Sequence, residues 1–300
     1  MERNEVKHWI RWRGRKAVMR VNYLLCRMLS WETCKKINTA LVYRRKLDLA
    51  APRKLNEKIL WIEYHTDPAV RSTLSDKFRV RDYVKSRGYG ENLIPLLAVY
   101  GENDDIDLES LPRQFVMKAV HGSDMNYICR DKRNVNKGKI CARSREWMRI
   151  NLAYLSFERH YQTIRPGIIF EKYIGNGEAN LTDYKFHCSD GRVRFILVCT
   201  GKAENRWLNV FRTDWEPLHI LTGAEESPEP VPKPENLERM IRMAEDLAAG
   251  HPFVRVDLYQ TGEKIYFGEM TFTPAAGVLF HFTEDFLEKE GQYCTLPEGN

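Results

Sequence analysis

Two carboxylates near the C-terminus stand in apolar segments whose alternation is typical of β-strands. Asp257 lies within residues 253–259 and Glu269 within residues 264–272, and a Thr-Gly-Glu turn joins the two segments. This arrangement predicts a β-hairpin that carries one carboxylate on each strand.

The side chains next to these carboxylates decide what chemistry the hairpin can support. Alternation along a strand puts Arg255 on the face of Asp257, and Thr271 on the face of Glu269. If the two faces coincide, two carboxylates and a hydroxyl could ligate Mg²⁺, which prefers oxygen and is seldom enclosed by protein alone. Taken alone, the hairpin favours a simpler interpretation, in which Arg255 forms an ion pair with a carboxylate on a solvated sheet face.

Upstream residues favour a site for phosphate groups. Lys118 stands inside the apolar run 115–120, where a lysine is costly unless it has an anionic partner. Residues 121–124 follow as a His-Gly-Ser-Asp turn, whose backbone N–H groups could bind phosphate oxygens. Lys185 adds a cation on another predicted strand, and the run 168–175 ends a strand in a turn that could bind a flat base. The phosphate-binding patterns of P-loop and Rossmann folds are absent from the sequence.

The eight histidines show no pairing that is typical of acid–base catalysis. His121, in the turn after Lys118, and His160 could touch a substrate, but a structural role is favoured for both. Phosphoryl transfer depends on positioning and on neutralising charge, so it needs no nucleophilic Cys or Ser from the protein.

Hydrophobic periodicity predicts the elements that would hold these residues. Helical spacing is found in the segments 55–65, 74–87, 144–164 and 235–249. Strand-like runs occupy 93–100, 114–120 and 165–173, and hairpins follow over 184–199 and 253–272. A proline-rich stretch, 222–236, is expected to be an extended loop. The order indicates a mixed α+β fold with antiparallel sheets and flanking helices.

Composition and length are those of a globular enzyme with one sizeable core. The chain has 300 residues, of which 43% are hydrophobic and 29% charged. Its seven scattered cysteines include no C-x-x-C pair, so they predict free thiols in a reducing cytoplasm. No apolar run approaches the roughly 20 residues that span a bilayer, and arginines interrupt the start of the chain, unlike in a signal peptide. We therefore expect a cytoplasmic protein.

Positive charge is concentrated at the N-terminus. Residues 1–54 carry 15 Lys and Arg against 4 Asp and Glu, whereas the remainder carries 32 against 37. Apolar residues recur at helical spacing over 6–29, which predicts a basic amphipathic helix broken or bent near Gly14. Residues 1–40 could lie on an anionic membrane surface, or the helix could pack its apolar face on the body. No nucleic-acid-binding module follows, so nucleic acid is not an expected partner.

The order of these features resembles the ATP-grasp fold, and the chain is most similar to its TupA-like branch, which is linked to teichuronopeptide and capsular polysaccharide synthesis. The resemblance covers roughly residues 40–285 and rests on eight ordered segments: LNEKILWIEYHTDP, SDKFRVRDYV, LIPLLAVY, QFVMKAVHGSDMN, IIFEKYI, DYKFHC, PFVRVDLY and YFGEMTFTPAAG. It implies two α+β lobes that grip ATP between them. A basic helical extension would occupy 1–54, an N-terminal subdomain 55–112, the lid lobe 113–175, and the catalytic lobe 176–300.

The resemblance also implies roles for individual residues. The nucleotide-binding residues would be Lys77 and Lys118 at the phosphates, Gly122 and Ser123 in the lid loop, Glu171, Lys172 and Ile174 at the adenine, and Glu178 at the ribose. Asp257, Glu269 and Thr271 would hold Mg²⁺, with Thr271 in the place where many ATP-grasp enzymes have Asn. Lys185, facing the γ-phosphate, and Arg255 would be the catalytic residues.

The lid loop departs from the pattern of this branch, which usually reads His-Gly-Ser-Gly. Here the second glycine is Asp124. A carboxylate beside a triphosphate is electrostatically unfavourable, and loss of the glycine stiffens the turn, so the departure puts lid function in question.

The resemblance implies an ATP- and Mg²⁺-dependent carboxylate–amine ligase that works through an acylphosphate. The expected partners are an acidic glycan or uronic acid and an amine donor such as an amino acid. A basic N-terminal segment would suit an enzyme held at the inner face of the membrane. A sugar kinase is the alternative enzyme, because a hydroxyl could replace the carboxylate as phosphoryl acceptor. A glycan-binding scaffold without catalysis is opposed by the joint presence of Lys118, Lys185, Asp257 and Glu269.

Overall fold

The computed structural model describes residues 3–175, 181–202 and 205–298. Two antiparallel sheets, one of four strands and one of six, are packed with helices, in agreement with the predicted α+β fold. All seven cysteines are free thiols, as predicted.

Two helices, α1 (Arg3–Met28) and α2 (Trp31–Tyr43), form the N-terminal segment. The helix predicted to be broken or bent near Gly14 is not broken there, because α1 runs through this residue. Ser30 separates the helices: its hydroxyl accepts a hydrogen bond from the N–H of Thr33 and caps α2.

Three helices follow, α3 (Leu55–His65), α4 (Ala69–Ser75) and α5 (Val80–Ser86). Helix α3 confirms the predicted segment, but the single helix predicted over 74–87 is wrong. The Asp76 carboxylate accepts hydrogen bonds from the N–H groups of Phe78 and Arg79, which makes a turn between α4 and α5. Lys77 lies in this turn.

The small sheet consists of β1 (Leu96–Tyr100), β2 (Phe115–Ala119), β3 (Asn126–Cys129) and β4 (Ile168–Lys172), in the order β1-β4-β2-β3. Three of these strands fall within the predicted runs. Strand β1 belongs to the predicted subdomain 55–112 but pairs with β4 in this sheet. The domain boundaries stay predictions.

The helix predicted over 144–164 is wrong. The structure has α6 (Lys137–Met148), which begins where the Asn136 side chain accepts a hydrogen bond from the N–H of Lys139, and a short α7 (Ala153–Ser156). Phe157 then adopts a left-handed conformation, with φ 58°, which a helix cannot continue.

The large sheet contains β5 (Asp183–Ser189), β6 (Arg192–Lys202), β7 (Asn205–Phe211), β8 (Pro217–Leu218), β9 (Phe253–Thr261) and β10 (Lys264–Thr271), in the order β10-β9-β5-β6-β7-β8. Helix α8 (Leu237–Ala248) packs on one face, against Val254, Val256 and Leu258. Helix α9 (Glu284–Gly291) and α3 pack on part of the opposite face. The rest of that opposite face points into a cleft.

A bulge in the last hairpin sets the register of its two carboxylates. The pairing of β9 with β10 shifts between Phe267 and Glu269, so that Glu269 lies opposite Asp257. Gly268 occupies the shift, and a Cβ atom there would lie 2.9 Å from the Tyr259 ring and 3.0 Å from the carbonyl oxygen of Asp257. The close approach of the two strands therefore depends on glycine at this position.

We expect Gly268→Ala to lower the free energy of unfolding by about 1–3 kcal/mol, because the added methyl group must push the two strands apart. Gly90→Ala is the control, since its nearest neighbour would be a Lys85 side-chain carbon at 3.5 Å. Urea unfolding followed by circular dichroism measures both variants. Equal stability of the two variants would contradict the role assigned to the bulge.

Candidate active site

A cleft of about 810 Å³ lies between the two sheets and has a strongly charged lining. Its ionic side chains include Lys77, Lys118, Lys185, Arg255, Asp257 and Glu269. A second cavity, of about 370 Å³, adjoins it at Lys118 and Asp183 and is lined by Glu171, Lys172 and Ile174. The cleft thus contains most of the residues for which a role is predicted from the sequence.

The two carboxylate-bearing strands present the same face, so the four side chains predicted to converge do converge. Arg255 Nε lies 2.6 Å from Asp257 Oδ1, and its Nη2 lies 3.1 Å from Glu269 Oε1. The same Nη2 donates a hydrogen bond to Thr271 Oγ1 at 3.0 Å. The ion pair that was the simpler interpretation is therefore present, and the oxygen atoms predicted to ligate Mg²⁺ lie beside it.

Two lysines complete the charge pairing around this group. Lys185 Nζ lies 2.5 Å from both Asp257 Oδ2 and Asp183 Oδ2. Lys77 Nζ lies 3.0 Å from Glu269 Oε2 and donates a hydrogen bond of 2.8 Å to the carbonyl of Gly122. Sequence reasoning missed Asp183, although alternation along β5 places it on the face of Lys185.

Ion pairing opposes the effect of burial on the pKa values of Lys185 and Glu269. Burial disfavours the charge on Lys185, but Asp257 and Asp183 outweigh it and raise the pKa of the lysine above its ordinary value. Burial likewise disfavours the charge on Glu269, yet Lys77 and Arg255 bring the pKa of this carboxyl below its ordinary value. Lys185 and Glu269 are therefore charged at neutral pH, whereas burial raises the pKa of the Asp257 carboxyl above its ordinary value although Arg255 and Lys185 oppose this shift.

The second cavity contains another ion pair at the edge of the small sheet. Lys118 Nζ lies 2.7 Å from Glu171 Oε2, and Arg81 Nη1 lies 3.1 Å from Glu171 Oε1. This contact supplies the anionic partner that the sequence required for Lys118, whereas Arg81 was missed because nothing local marks it.

The remaining residues predicted at the adenine differ in exposure. Lys172 is exposed, and its N–H donates a hydrogen bond to the carbonyl of Pro95. The Ile174 carbonyl accepts a hydrogen bond of 3.4 Å from Thr261 Oγ1, which ties this segment to β9. Glu178 lies outside the described residues.

The lid loop shows how Asp124 replaces a glycine. Asp124 adopts a left-handed conformation with φ 57°, which Gly favours and which Asp tolerates better than most residues. Ser123 and Asp124 are exposed at the edge of the cleft, whereas Gly122 is buried and a Cβ there would lie 2.5 Å from Met125 Cε. The backbone at Asp124 therefore adopts the left-handed conformation that suits glycine. The aspartate also adds a carboxylate beside the proposed phosphate site.

Both histidines considered in the sequence have structural contacts. His121 is buried, with Nε2 3.0 Å from the Trp147 carbonyl, and its Nδ1 accepts a hydrogen bond from the N–H of Gly167. His160 is also buried, and its Nδ1 lies 3.0 Å from both carboxylate oxygens of Glu63. These contacts agree with the structural role favoured from the sequence.

The oxygen ligands at the hairpin suit Mg²⁺ bound together with phosphate. Within the described ranges, no three His, Cys, Asp or Glu side chains converge as a complete metal site. Asp257, Glu269 and Thr271 offer hard oxygen atoms on two rigid strands, and Mg²⁺ usually completes its shell with phosphate and water. The residues present therefore fit this ion.

Comparison with known proteins identifies similar sequences and folds. A model of the TupA-like ATP-grasp family matches residues 57–294. D-alanine–D-alanine ligase from Bacillus anthracis is 17% identical, with a TM-score of 0.48 over 78% of this chain and 73% of the other. D-cycloserine synthetase DcsG is 18% identical, with a TM-score of 0.39 over 76% and 71%. No curated protein matches the chain.

Replacing Glu269 by Gln should weaken binding of MgATP by at least about tenfold, because the metal loses one charged ligand. Glu263→Gln, on the exposed turn of the same hairpin, should bind MgATP as the unchanged protein does. Isothermal titration calorimetry, performed with and without Mg²⁺, measures both variants. Mg²⁺-dependent affinity that survives in Glu269→Gln would refute the metal assignment.

Proposed function

The chain belongs to the TupA-like ATP-grasp family, and we propose that it is an ATP- and Mg²⁺-dependent carboxylate–amine ligase that modifies a cell-surface polysaccharide or its precursor. The observation that carries the proposal is the buried cluster of cations and carboxylates on the cleft face of β5, β9 and β10, with Lys118 across the cleft. Lysines and arginines bind phosphate groups, and carboxylates bind the metal that accompanies them. An enzyme that activates a carboxylate with ATP needs both.

Nucleotide binding would exchange the partners within this cluster. Each proposed phosphate-binding cation has a carboxylate partner: Lys77 has Glu269, Lys118 has Glu171, and Lys185 has Asp257. Asp257, Glu269 and Thr271 would hold Mg²⁺, which would neutralise charge on the nucleotide phosphates. The lysines released from Asp257 and Glu269 would then contact phosphate oxygens.

The reaction itself places few demands on the protein beyond position and charge. An oxygen of the substrate carboxylate attacks the γ-phosphorus, ADP leaves, and an acylphosphate results. The amine then attacks the acyl carbon and inorganic phosphate departs. Lys185 and Arg255 lie on adjacent strands, where they can stabilise the charge on the transferring group in both steps.

The substrate end of the cleft has room for a sugar ring. Away from the adenine cavity, the cleft is lined by Leu279, His281 and Phe282. Apolar and aromatic side chains next to a strongly cationic centre suit a sugar that carries a carboxylate, such as a uronic acid.

We predict that ADP release requires both an acid and an amine. A screen of uronic acids against amino acids, with mass spectrometry of the conjugate, should yield an amide, and Glu269→Gln should yield at least about tenfold less. A stable phosphorylated sugar formed without amine would favour a kinase and contradict the ligase. A protein that shows no thermal stabilisation by ATP and Mg²⁺ would instead be a non-catalytic scaffold.

The N-terminal segment both packs on the body and exposes apolar residues. Asn22 Nδ2 donates a hydrogen bond to the Tyr154 carbonyl at 2.8 Å, and Lys35 Nζ donates one to the Ser156 carbonyl at 2.8 Å. On α1, Val21, Leu24 and Met28 are 56%, 58% and 81% exposed, at the spacing of one helical face. No helix in the part of the chain that the structure describes is long and apolar enough to cross a bilayer.

We propose that this exposed face of α1 lies on an anionic membrane, where a glycan carried on a lipid would be found. The basic composition of residues 1–54 supports attraction to anionic lipids, and the apolar face supports shallow insertion. Packing through Asn22 and Lys35 would hold the body at a fixed orientation to the surface.

Substituting Val21, Leu24 and Met28 together by Glu should reduce binding to phosphatidylglycerol vesicles by at least about tenfold, with little change in stability. Val70→Glu, which changes an exposed apolar residue outside the segment, is the control. Vesicle sedimentation at low and physiological salt measures the effect. Binding that persists in the triple variant would exclude α1 as the membrane-contacting surface.

A further inference from the structure

One histidine on the floor of the cleft has no part in the phosphate or metal sites. His187 lies on β5, two residues beyond Lys185, and pairs in register with Arg255 of β9. It lines the cleft although its exposed fraction is only 1%. His187 is therefore a buried residue that borders the cleft.

The imidazole ring is held rigidly by aromatic neighbours. It stacks on Phe195 with ring centroids 4.3 Å apart and an interplanar angle of 15°. Phe282 meets it edge-on, with centroids 6.1 Å apart at 90°. Packing on two sides leaves the ring little freedom to turn, so its nitrogens have fixed directions.

A hydrogen bond to the backbone fixes which nitrogen carries the proton. Nδ1 lies 3.1 Å from the carbonyl oxygen of Lys185. A carbonyl can only accept, so Nδ1 donates and, in the neutral ring, Nε2 holds the lone pair. Burial and the nearby charges of Arg255 and Lys185 lower the pKa of His187 well below its ordinary value, which keeps the ring neutral at pH 7. Among the described residues, Nε2 has no hydrogen-bond partner.

The order of residues along β5 places His187 on the substrate side of the reacting phosphorus. Asp183, Lys185 and His187 follow one another on one face, and Asp183 borders the proposed adenine cavity. The row of Lys185 and Asp257 comes next, and the row of His187 and Arg255 lies about 7 Å further along the strands. An acyl group activated at the γ-phosphate would meet its nucleophile in that last row.

We propose that His187 Nε2 is the catalytic base that takes a proton from the amine nucleophile, a role that rests on the ligase function proposed above. The ammonium form of the donor gives one proton to Nε2, and the freed nitrogen lone pair attacks the acyl carbon. The C–N bond forms as the bond from the acyl carbon to the phosphate oxygen breaks. The second proton of the nitrogen goes to the departing phosphate, so the products are an amide and hydrogen phosphate.

Burial lowers the pKa of His187, and Arg255 and Lys185 lower it further; these two cations would also lower the pKa of the donor's ammonium group. Arg255 and Lys185 disfavour a second positive charge on the imidazole, and they disfavour the ammonium charge of an amine bound beside it for the same reason. These charges shift both pKa values in the same direction, so they do not widen the difference across which the proton is transferred.

The test compares two nucleophiles that differ in their need for a base. Amino acids are mostly ammonium ions at neutral pH, whereas hydroxylamine is already uncharged and needs no deprotonation before attack. The substrates are the uronic acid and amino acid that turn over best in the screen described above, with hydroxylamine replacing the amino acid in a parallel assay. The amide and the hydroxamate are measured on the same enzyme preparation.

We expect His187→Asn, whose amide nitrogen can keep the hydrogen bond to Lys185, and His187→Phe, which keeps the ring stacking, to lower amide formation by about 100-fold or more. Hydroxamate formation should fall by less than about fivefold. The ratio of the two products is independent of how much enzyme is folded, because misfolding lowers both rates equally. His251→Asn, a half-buried histidine away from the cleft lining, should leave the ratio unchanged.

A fall of both products together in the His187 variants would show that the ring only shapes the cleft, and would overturn the proposal. Unchanged amide formation would overturn it as well. If the unaltered enzyme forms neither amide nor hydroxamate from any acid, the proposed ligase function fails, and the role of His187 fails with it. Hydroxamate formation by the unaltered enzyme would show that the ligase function holds, so that a failure of the His187 role can be told apart from a failure of the function.

Discussion

The alternating charges on one face of β5, β9 and β10 constrain the rest of the structure. A buried charge without a partner is strongly destabilising, so each cation on this face has to contact a carboxylate. Lys185 lies between Asp183 and Asp257, and Arg255 lies between Asp257 and Glu269. A slip of one residue between these strands would move a charge to the apolar face against α8, so the ion pairs fix the register of the sheet.

The same requirement extends from the sheet to the other parts of the cleft. Lys77 lies in the turn between α4 and α5. It contacts both Glu269 on the large sheet and the Gly122 carbonyl in the lid loop. Lys118 lies on the small sheet and forms an ion pair there with Glu171. The proposed phosphate-binding cations therefore come from three separate parts of the chain, and each forms an ion pair with a carboxylate.

The sequence predicted what depends on local pattern. Alternation in the last hairpin was enough to place Arg255, Asp257, Glu269 and Thr271 on one face, and the apolar surroundings of Lys118 were enough to require an anionic partner. The helix over 55–65 and most strands followed from periodicity.

What the sequence missed depends on contacts between distant segments or on single capping groups. Capping by Asp76 divides one predicted helix into two, and Asn136 starts another helix earlier than its apolar pattern suggests. His187 could not be singled out, because its proposed role depends on the pairing of β5 with β9. This pairing places His187 opposite Arg255, which lies 68 residues further along the chain. Arg81 was missed for the same reason, since it reaches Glu171 across 90 residues.

We propose that Asp257 and Glu269 exchange their cationic partners for a metal ion when nucleotide binds. Anomalous diffraction from crystals grown with Mn²⁺ and a non-hydrolysable ATP analogue tests this exchange. We expect a manganese peak within bonding distance of both carboxylates, with Lys77 and Lys185 in contact with phosphate oxygens. A peak elsewhere, or bound nucleotide with the Lys185–Asp257 and Lys77–Glu269 pairs unchanged, would contradict it.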